Sequence, residues 1–444
     1  MSLVTKAIGC AKKIKHRFSD RARQNRPVYL CPVRRIERVA LNERVAAMTF
    51  DDGPCALPAN PSDNGKPLTL NLIETLEKYG ARGTFDAVGD TSQNYPDKPG
   101  KEGSVFWGGI KFDHYPDFGK DSFGGVKNCP ELVKRILDGG HEITSHTWAH
   151  VLFGPKPLVY GRRDPLNKTE QVISDLTEMH SFMKDNYGYD IKLSRPPHYV
   201  DNTKDGFSAY DAYAVMGYQY LAASFDGAGW LPLSSYEAEV EATWKPIEQK
   251  LMQDPDYFCG QIIFQKDGYN MARRSPVVHG LEKQLELLTE YGYRIVTVSE
   301  LLKMCPFTDL SPGDENFGHA KKLLDMGLCI CYRDNTVRQQ NLLTRGELAM
   351  MLNGSKTAYK RIELVRARKN PASDVSFRHP YAAAIACAVE SSEMTLTMGR
   401  FVPNIPVTPA EFASACKKHF GCDITAPTAP VSRAAAIRAL SNAL

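Results

Sequence analysis

Short apolar runs alternate with longer amphipathic stretches from about residue 45 to residue 302, and this order restricts the fold more than any other feature of the chain. The seven predicted strands are residues 45–50, 84–88, 142–145, 192–195, 220–225, 261–264 and 294–298. The helices predicted between them are residues 68–79, 130–138, 169–186, 206–216, 236–252 and 280–291. Because a helix after each strand brings the chain back to start a parallel neighbour, the pattern predicts an α/β fold with a parallel sheet or barrel.

The first predicted strand ends in two adjacent carboxylates, Asp51 and Asp52, followed by the turn residues Gly53 and Pro54. Neighbouring carboxylates repel each other, and a bound cation relieves that repulsion. One of the two is therefore a candidate metal ligand, and the other is a candidate general base. The alternative is an ordinary Asp-Asp-Gly-Pro turn without chemistry, and the pair alone does not decide between the two.

Two histidines, His146 and His150, follow the third predicted strand. Histidines four residues apart project from the same side of a helical turn, which is the spacing at which two imidazoles bind one transition metal. Pairs of this kind also occur on surfaces that bind no metal. In a parallel barrel the carboxyl ends of the strands share one face, so the histidines and the Asp pair are expected to meet there as a two-His, one-Asp metal site.

Five segments in this order resemble motifs of the polysaccharide deacetylases of the NodB-homology type, over about residues 45–302. They are residues 49–54, 141–150, 195–197, 226–230 and 292–297. The first two, which contain the Asp pair and the His pair, are highly specific together. The resemblance implies a distorted seven-stranded (β/α) barrel. It also implies metal-dependent hydrolysis of an N-acetyl group, or alternatively an O-acetyl group, on a cell-wall or related polysaccharide.

The same resemblance assigns roles to residues of the first three motifs. Asp52, His146 and His150 would bind a divalent metal, with zinc first and cobalt, nickel, iron or manganese as alternatives. Asp51 would be the general base that takes a proton from water, while the metal polarises the acetamide carbonyl. Arg195 would hold Asp51 ionised and oriented, although a structural salt bridge at the barrel rim is the alternative for Arg195.

Substrate contacts are also implied by the third and fourth motifs. Pro197 belongs to a fixed Pro-Pro turn, and His198 follows it where the family usually has Tyr or Gly. Asp226 opens the fourth motif, and Trp230 would line a sugar-binding groove. The alternatives are a rim histidine without a role for His198 and an ordinary core residue for Trp230.

Two departures from the family pattern affect the general acid. Lys266 stands where the family has the acid histidine, and Gly229 stands where it has the aspartate that tunes that histidine. Three interpretations remain open. Lys266 donates the proton or stabilises the oxyanion; His198 or His279 takes the role of acid; or the chain binds a glycan on a catalytically impaired site.

The sequence after residue 303 contains an internal repeat. Asp309 and Asp374 are about 65 residues apart, and residues 343–347 and 407–411 each place a Thr three residues before a Glu, which is a capping box at a helix start. Residues 431–435 begin a third, partial copy. The copies resemble S-layer homology modules, which implies a cell-wall polymer as partner and Arg345 as its anionic contact. The alternative is a small helical domain packed against the barrel.

These features divide the chain into a basic segment at 1–40, a deacetylase-like barrel at 41–303 and helical repeats at 304–444. The net charge is +4, and outside the first segment the positively charged residues are scattered along the chain, so we expect no nucleic-acid partner. No apolar stretch reaches 18 residues, and no signal peptide is evident. The repeats favour a cell-wall or extracellular location, whereas the N-terminus without an evident signal peptide favours a cytoplasmic location. The 11 cysteines are expected to be mostly buried free thiols.

Overall fold

The computed structural model describes residues 28–60, 65–91, 123–154, 164–230, 232–270, 272 and 274–444. Residues 1–27 of the predicted basic segment lie outside the described residues. None of the helices in the described ranges combines the length and apolar composition that crossing a bilayer requires. Six of the ten cysteines within those ranges are buried.

Nine parallel strands form one curled sheet with the order β1-β6-β5-β4-β3-β2-β8-β7, and β9 also pairs with β2. The strands are β1 Arg35–Ile36, β2 Val45–Asp51, β3 Thr84–Ala87, β4 Glu142–Ser145, β5 Leu193–Ser194, β6 Gln219–Leu221, β7 Phe225–Asp226, β8 Ile262–Lys266 and β9 Arg294–Val296. The helices of the barrel region are α1 Leu68–Lys78, α2 Pro130–Asp138, α3 Thr169–Tyr187, α4 Ala209–Met216, α5 Tyr236–Gln253, α6 Pro276–Glu290 and α7 Val298–Met304. The predicted α/β fold with a distorted barrel is confirmed.

The expected count of seven strands is wrong in two places. No local pattern indicates β1, a two-residue strand that pairs with Tyr220 and Leu221 of β6. The predicted strand at 220–225 is two strands, because β6 pairs with β5 whereas β7 pairs with β8 on the opposite side. β6 and β7 are therefore neighbours in the chain but lie towards opposite ends of the strand order.

Register along the central strand fixes where the polar residues emerge. Asp51, the last residue of β2, lies opposite Asp86 of β3 and opposite Lys266 of β8. All seven residues of β2 are buried. Three strands thus place charged side chains at the carboxyl face of the sheet, where parallel barrels carry their sites.

The C-terminal region is helical and contains the predicted repeat. Its helices are α8 Phe317–Asp325, α9 Arg345–Asn353, α10 Thr357–Ala367, α11 Ala382–Glu390, α12 Pro409–Phe420 and α13 Arg433–Ala443. The Asp309 carboxylate accepts the backbone N–H groups of Val337 and Arg338, at 2.7 and 2.8 Å. Asp374 closes the corresponding loop of the second copy with bonds of 2.8 and 2.9 Å to the N–H groups of residues 401 and 402.

The helix starts of the repeat are capped as the sequence predicts. The Thr344 hydroxyl accepts the N–H of Glu347, and the Thr408 hydroxyl accepts the N–H of Glu411. Ser432 caps the third copy in the same way. These are the side-chain oxygens that satisfy the first unpaired N–H groups of a helix, so each copy begins its helix with the same local device.

Arg345 follows the first of these caps, and its guanidinium is used inside the protein. It forms an ion pair with Glu411 at 2.8 Å and donates to the carbonyl of Thr395 at 3.0 Å. Arg433 has the equivalent position in the third copy and donates to the carbonyl of Ile330 at 2.6 Å. The expected role of Arg345 as a contact for an external anion is therefore not favoured, because the side chain joins one copy to the next.

The helical region and the barrel share one hydrophobic core. Val45 and Ile262 of the sheet belong to the same buried cluster as Phe307 and Leu348. The described part of the predicted 1–40 segment lies between the two regions. Its backbone pairs with the helical region, as in the 2.7 Å bonds from Arg35 N–H to the Arg333 carbonyl and from Ala40 N–H to the Phe307 carbonyl.

Candidate metal centre and active site

The end of β2 turns the two adjacent carboxylates in different directions. Asp51 keeps its place in the sheet, whereas Asp52 has a left-handed backbone with φ of 84°. Gly53 follows so closely against the Asp267 carboxylate that a Cβ at this position would overlap it. A glycine is therefore required after the pair, and the turn lets one carboxylate face the histidines while the other faces Arg195.

Asp52, His146 and His150 converge on one point. The Oδ1 atom of Asp52 lies 3.4 Å from Nε2 of His146 and 3.2 Å from Nε2 of His150, and all three residues are buried. Ligands bound to one tetrahedral zinc ion are about 3.4 Å apart, given bonds of about 2.0–2.2 Å. The three atoms therefore have the spacing and the donor types of a two-His, one-carboxylate metal site.

The two histidines are not on a helical turn, so that part of the sequence interpretation is wrong. Residues 146–150 form an irregular loop after β4, in which Thr147 and His150 have left-handed backbones with φ of 77° and 51°. The loop is held by Asp175, whose carboxylate accepts the N–H groups of Trp148 at 2.8 Å and Ala149 at 3.2 Å. A half-buried carboxylate on α3, rather than helical periodicity, brings the imidazoles together.

The imidazole of His146 is oriented by the contacts of Nδ1, the ring nitrogen that does not face Asp52. Nδ1 lies 2.8 Å from the carbonyl oxygen of Arg195 and 2.9 Å from Oδ2 of Asp86, so Nδ1 carries the hydrogen and Nε2 is left for a metal. Asp86 is fully buried and accepts the Thr144 hydroxyl at 2.5 Å. Sequence reasoning missed Asp86, although a carboxylate inside the apolar run 84–88 was a signal that could have identified it.

Asp51 is paired with Arg195. The guanidinium donates to Oδ1 of Asp51, and it also donates to the Thr49 hydroxyl at 3.0 Å and to the Ala222 carbonyl at 3.1 Å. Both charged side chains are almost fully buried. Burial raises the pKa of Asp51 to about 7, although the charges of Arg195 and His146 act to lower it. A carboxyl that titrates near neutrality suits a general base.

Lys266 lies at the same centre and bonds to the other oxygen of the candidate metal ligand. Its ammonium forms an ion pair with Oδ2 of Asp52, and its side chain is 13% exposed. Burial acts to raise the pKa of Asp52, but the Lys266 charge and the hydrogen bonds from His146 and His150 hold that pKa well below its usual range. Asp52 is therefore ionised and shared between Lys266 and the histidines.

The predicted substrate-binding residues are near the rim. His198 lies on a short 3-10 turn, Pro197–Tyr199, with its ring centroid 5.8 Å from that of His150. Asp226 is exposed and accepts the indole N–H of Trp230 at 3.2 Å. Trp230 is only partly buried, so the alternative of an ordinary core tryptophan is not favoured.

Two further positions bear on the predicted general acid, Gly229 and His279. Gly229 has φ of 84°, and a Cβ there would lie 2.6 Å from Val277, so the backbone has no room for an aspartate. His279 on α6 lies with Nδ1 2.5 Å from the Tyr236 hydroxyl. The contacts of His279 in the described part of the chain are with Tyr236, and they give no support to His279 as an acid.

Asp267 is a second buried carboxyl that sequence reasoning missed. It is fully buried, accepts the Thr69 hydroxyl at 2.6 Å and has one oxygen without a hydrogen-bond partner among the described residues. Burial raises its pKa to about 7. Its backbone N–H donates to the Asp51 carbonyl at 2.7 Å, so it links β8 to the turn after β2.

Comparison with known proteins finds similarity to polysaccharide deacetylases over part of the chain. Residues 38–212 match the family model for polysaccharide deacetylases. The chain is 27% identical over 265 residues to the peptidoglycan-N-acetylglucosamine deacetylase of Bacillus cereus, covering 59% of this chain and 90% of that protein. It is 23% identical over 265 residues to the peptidoglycan-N-acetylmuramic acid deacetylase PdaC of Bacillus subtilis, covering 60% of this chain and 40% of that protein.

Two solved structures align with part of the chain. The chitin deacetylase of the fungal pathogen Colletotrichum lindemuthianum is 18% identical with a TM-score of 0.41, covering 62% of this chain and 92% of that one. PdaC of Bacillus subtilis is 21% identical with a TM-score of 0.38, covering 59% and 91%.

Proposed function

We propose that this chain is a metal-dependent hydrolase that removes N-acetyl groups from peptidoglycan or a related glycan, because residues 38–212 match the family model for polysaccharide deacetylases. The observation that carries the proposal is the convergence of Asp52, His146 and His150 beside a second, separately paired carboxylate, Asp51. One carboxylate is thus available to hold a cation and the other to accept a proton. Two relatives named for peptidoglycan deacetylation support the substrate class.

The residues of the triad would hold the metal. When bound, a divalent ion supplies Lewis-acid polarisation of the acetamide carbonyl and of the attacking water. Two imidazoles and one carboxylate favour zinc, with other first-row divalent ions as alternatives. Asp86 and the Arg195 carbonyl fix the imidazole of His146 in the required tautomer, because both oxygens face Nδ1.

Asp51 would take the proton from the attacking water. Its pKa near 7 lets it act both as a carboxylate before attack and as an acid afterwards. Arg195 positions Asp51 and is itself fixed by Thr49 and Ala222, so the base is held without free rotation. Arg195 acts through Asp51 and is a positioning residue.

The proton that the leaving amine needs is assigned to Lys266. Its ammonium bonds to Asp52, next to the place where the scissile bond would lie, and it is the last residue of β8, opposite Asp51. There it can also donate a hydrogen bond to the developing oxyanion. His198, 5.8 Å from the His150 ring, is the alternative donor, and the half-buried Trp230 with Asp226 would contact the sugar chain.

A second candidate function is glycan binding on the same fold without efficient hydrolysis. The observation that favours it is the ion pair of Lys266 with the candidate metal ligand Asp52, since a cation already occupies one side of that carboxylate. Anchoring to a cell-wall polymer through S-layer homology repeats also remains a proposal, supported by the repeated Asp309 and Asp374 loops. The internal contacts of Arg345 do not support that residue as the anchor.

Acetate release tests the proposal. Zinc- or cobalt-loaded protein should release acetate from acetylated chito-oligosaccharides or from peptidoglycan, and Asp51→Asn should lower the rate by about a hundredfold or more. If Lys266 is the acid, Lys266→Ala should release acetate more slowly than wild type by a similar factor. His198→Ala should then keep most of the wild-type rate. Protein with a bound metal that releases no acetate from any acetylated glycan would favour the binding function instead.

A further inference from the structure

The carboxylate of Asp52 is divided between two neighbours. Its Oδ1 faces both imidazoles, at 3.4 and 3.2 Å, and its Oδ2 forms the ion pair with the Lys266 ammonium. A metal bound between the imidazoles would use Oδ1. The second oxygen, which would otherwise be available for a two-oxygen bond to the same ion, is engaged by a positive charge.

The position of Lys266 is fixed by the sheet. It is the last residue of β8, in register with Asp51 on β2, so its stem starts one strand away from the Asp pair. Its side chain is 13% exposed, and a Cβ added at Gly268, two residues later, would lie 3.5 Å from Cβ of Asp52 and 3.7 Å from Cε of Lys266. The strand and this turn therefore place the ammonium beside Asp52.

The other charges around the centre do not cancel this effect. Asp51 is paired with Arg195, and Asp86 faces His146. A divalent cation at the triad would add its charge to those of Lys266 and Arg195. Removing the Lys266 charge would leave the same carboxylates with one cation fewer, so the potential at the metal position would become more negative.

We propose that Lys266 lowers the affinity of the triad for divalent metals and keeps Asp52 a one-oxygen ligand. This inference rests on the proposed metal site and adds a function for Lys266 that is separate from proton donation. The protein would then bind its metal more weakly than the triad alone would allow. Metal occupancy, and not only the chemical step, would be set by Lys266.

The test is the dissociation constant for zinc and cobalt, measured on full-length apoprotein by competition with a chromophoric chelator. Lys266→Met should bind both metals at least about tenfold more tightly than wild type, because the repelling charge is gone. Lys266→Arg keeps the charge and should stay within a few-fold of wild type. Lys360→Met is the matched control, since Lys360 also pairs with a carboxylate and is 17% exposed but lies on α10, and it should not change the affinity.

The visible spectrum of the cobalt form gives a second measurement that does not depend on activity. If Lys266 restricts Asp52 to one oxygen, Lys266→Met should raise the coordination number and weaken the absorption bands, whereas Lys266→Arg should keep the wild-type spectrum. Equal or weaker metal binding by Lys266→Met would overturn this inference and leave the proposed function standing. If neither wild type nor Lys266→Met binds metal, both are wrong.

Discussion

The buried pair of Arg195 and Asp51 gives the sharpest prediction about stability. Arg195→Met removes the guanidinium and keeps most of the volume of its stem. Asp51 is then left as a buried carboxylate without its principal cation, and the Thr49 hydroxyl and the Ala222 carbonyl each lose a donor. Asp51→Asn removes the other charge of the pair, and the double variant removes both.

Breaking a buried ion pair by removing one partner costs about 3–5 kcal/mol, whereas removing both partners often costs much less. Unfolding entropy is about 2.1 cal/mol/K per residue, so for 444 residues each kcal/mol corresponds to a shift in Tm of about 1 °C. We therefore expect Arg195→Met to lower Tm by about 3–5 °C. The double variant should recover at least about 2 °C of that loss.

The destabilisation by Arg195→Met should also depend on pH. The pKa of Asp51 in the folded protein is raised to about 7 from an unfolded value near 3.8, and loss of Arg195 raises it further. A raised carboxyl pKa costs stability above the folded pKa, and that cost fades as the pH falls towards the unfolded value. The loss in Tm should thus be larger at pH 8 than at pH 5.

Thermal unfolding of metal-free wild type, the two single variants and the double variant measures this coupling directly. Chelator in every sample keeps metal binding from altering Tm. The Tm shifts are converted to changes in the free energy of unfolding. If the changes of the two single variants add up to that of the double variant within about 0.5 kcal/mol, Arg195 and Asp51 are not coupled, and the proposed positioning role of Arg195 is wrong.

Three further outcomes follow from the buried contacts. Asp86→Asn should weaken zinc binding by about 10–100-fold in a chelator competition, since the carboxylate that orients His146 is lost; unchanged affinity would mean that the Arg195 carbonyl suffices. Asp267→Asn should raise Tm at pH 8 and have no effect near pH 4. Burial raises the pKa of Asp267 to about 7, so the buried charge destabilises the folded protein only at high pH. An equal shift in Tm at pH 8 and pH 4 would contradict this reasoning. Deletion of 304–444 should leave the barrel insoluble or without a cooperative transition, because it exposes the shared core; a soluble barrel with the wild-type Tm would show that the helical region is independent.

Much of the fold follows from local patterns. The strand that ends in Asp51, the helix that starts at Thr169 and the repeated Thr caps after residue 340 are where the sequence places them, and Glu347 completes a capping box in the first copy. Each has a strong local cause, namely an apolar run, a start signal or a Thr followed by Glu. The split between β6 and β7 has none, because it arises from pairing with two different strands.

The candidate site shows the same division. The identity of the Asp pair and the His pair could be read from their motifs, but the loop that joins the histidines depends on Asp175, which is 25 residues further along the chain than His150. Asp86 has one local signal, a carboxylate inside an apolar run, but its contact with His146 and its register with Asp51 are long-range. Lys266 was expected to be an acid, and its ion pair with Asp52 is a long-range contact that no local pattern indicates.

The central claim is that one metal at the triad, together with Asp51, hydrolyses an acetylated glycan. The most direct measurement is acetate release from acetylated chito-oligosaccharides or peptidoglycan by chelated protein during titration with zinc or cobalt, with His150→Ala in parallel. The proposed function predicts no acetate without metal, activity that rises until one equivalent is bound, and none from His150→Ala. Equal release in the presence of chelator, or none after one equivalent has bound, would contradict it.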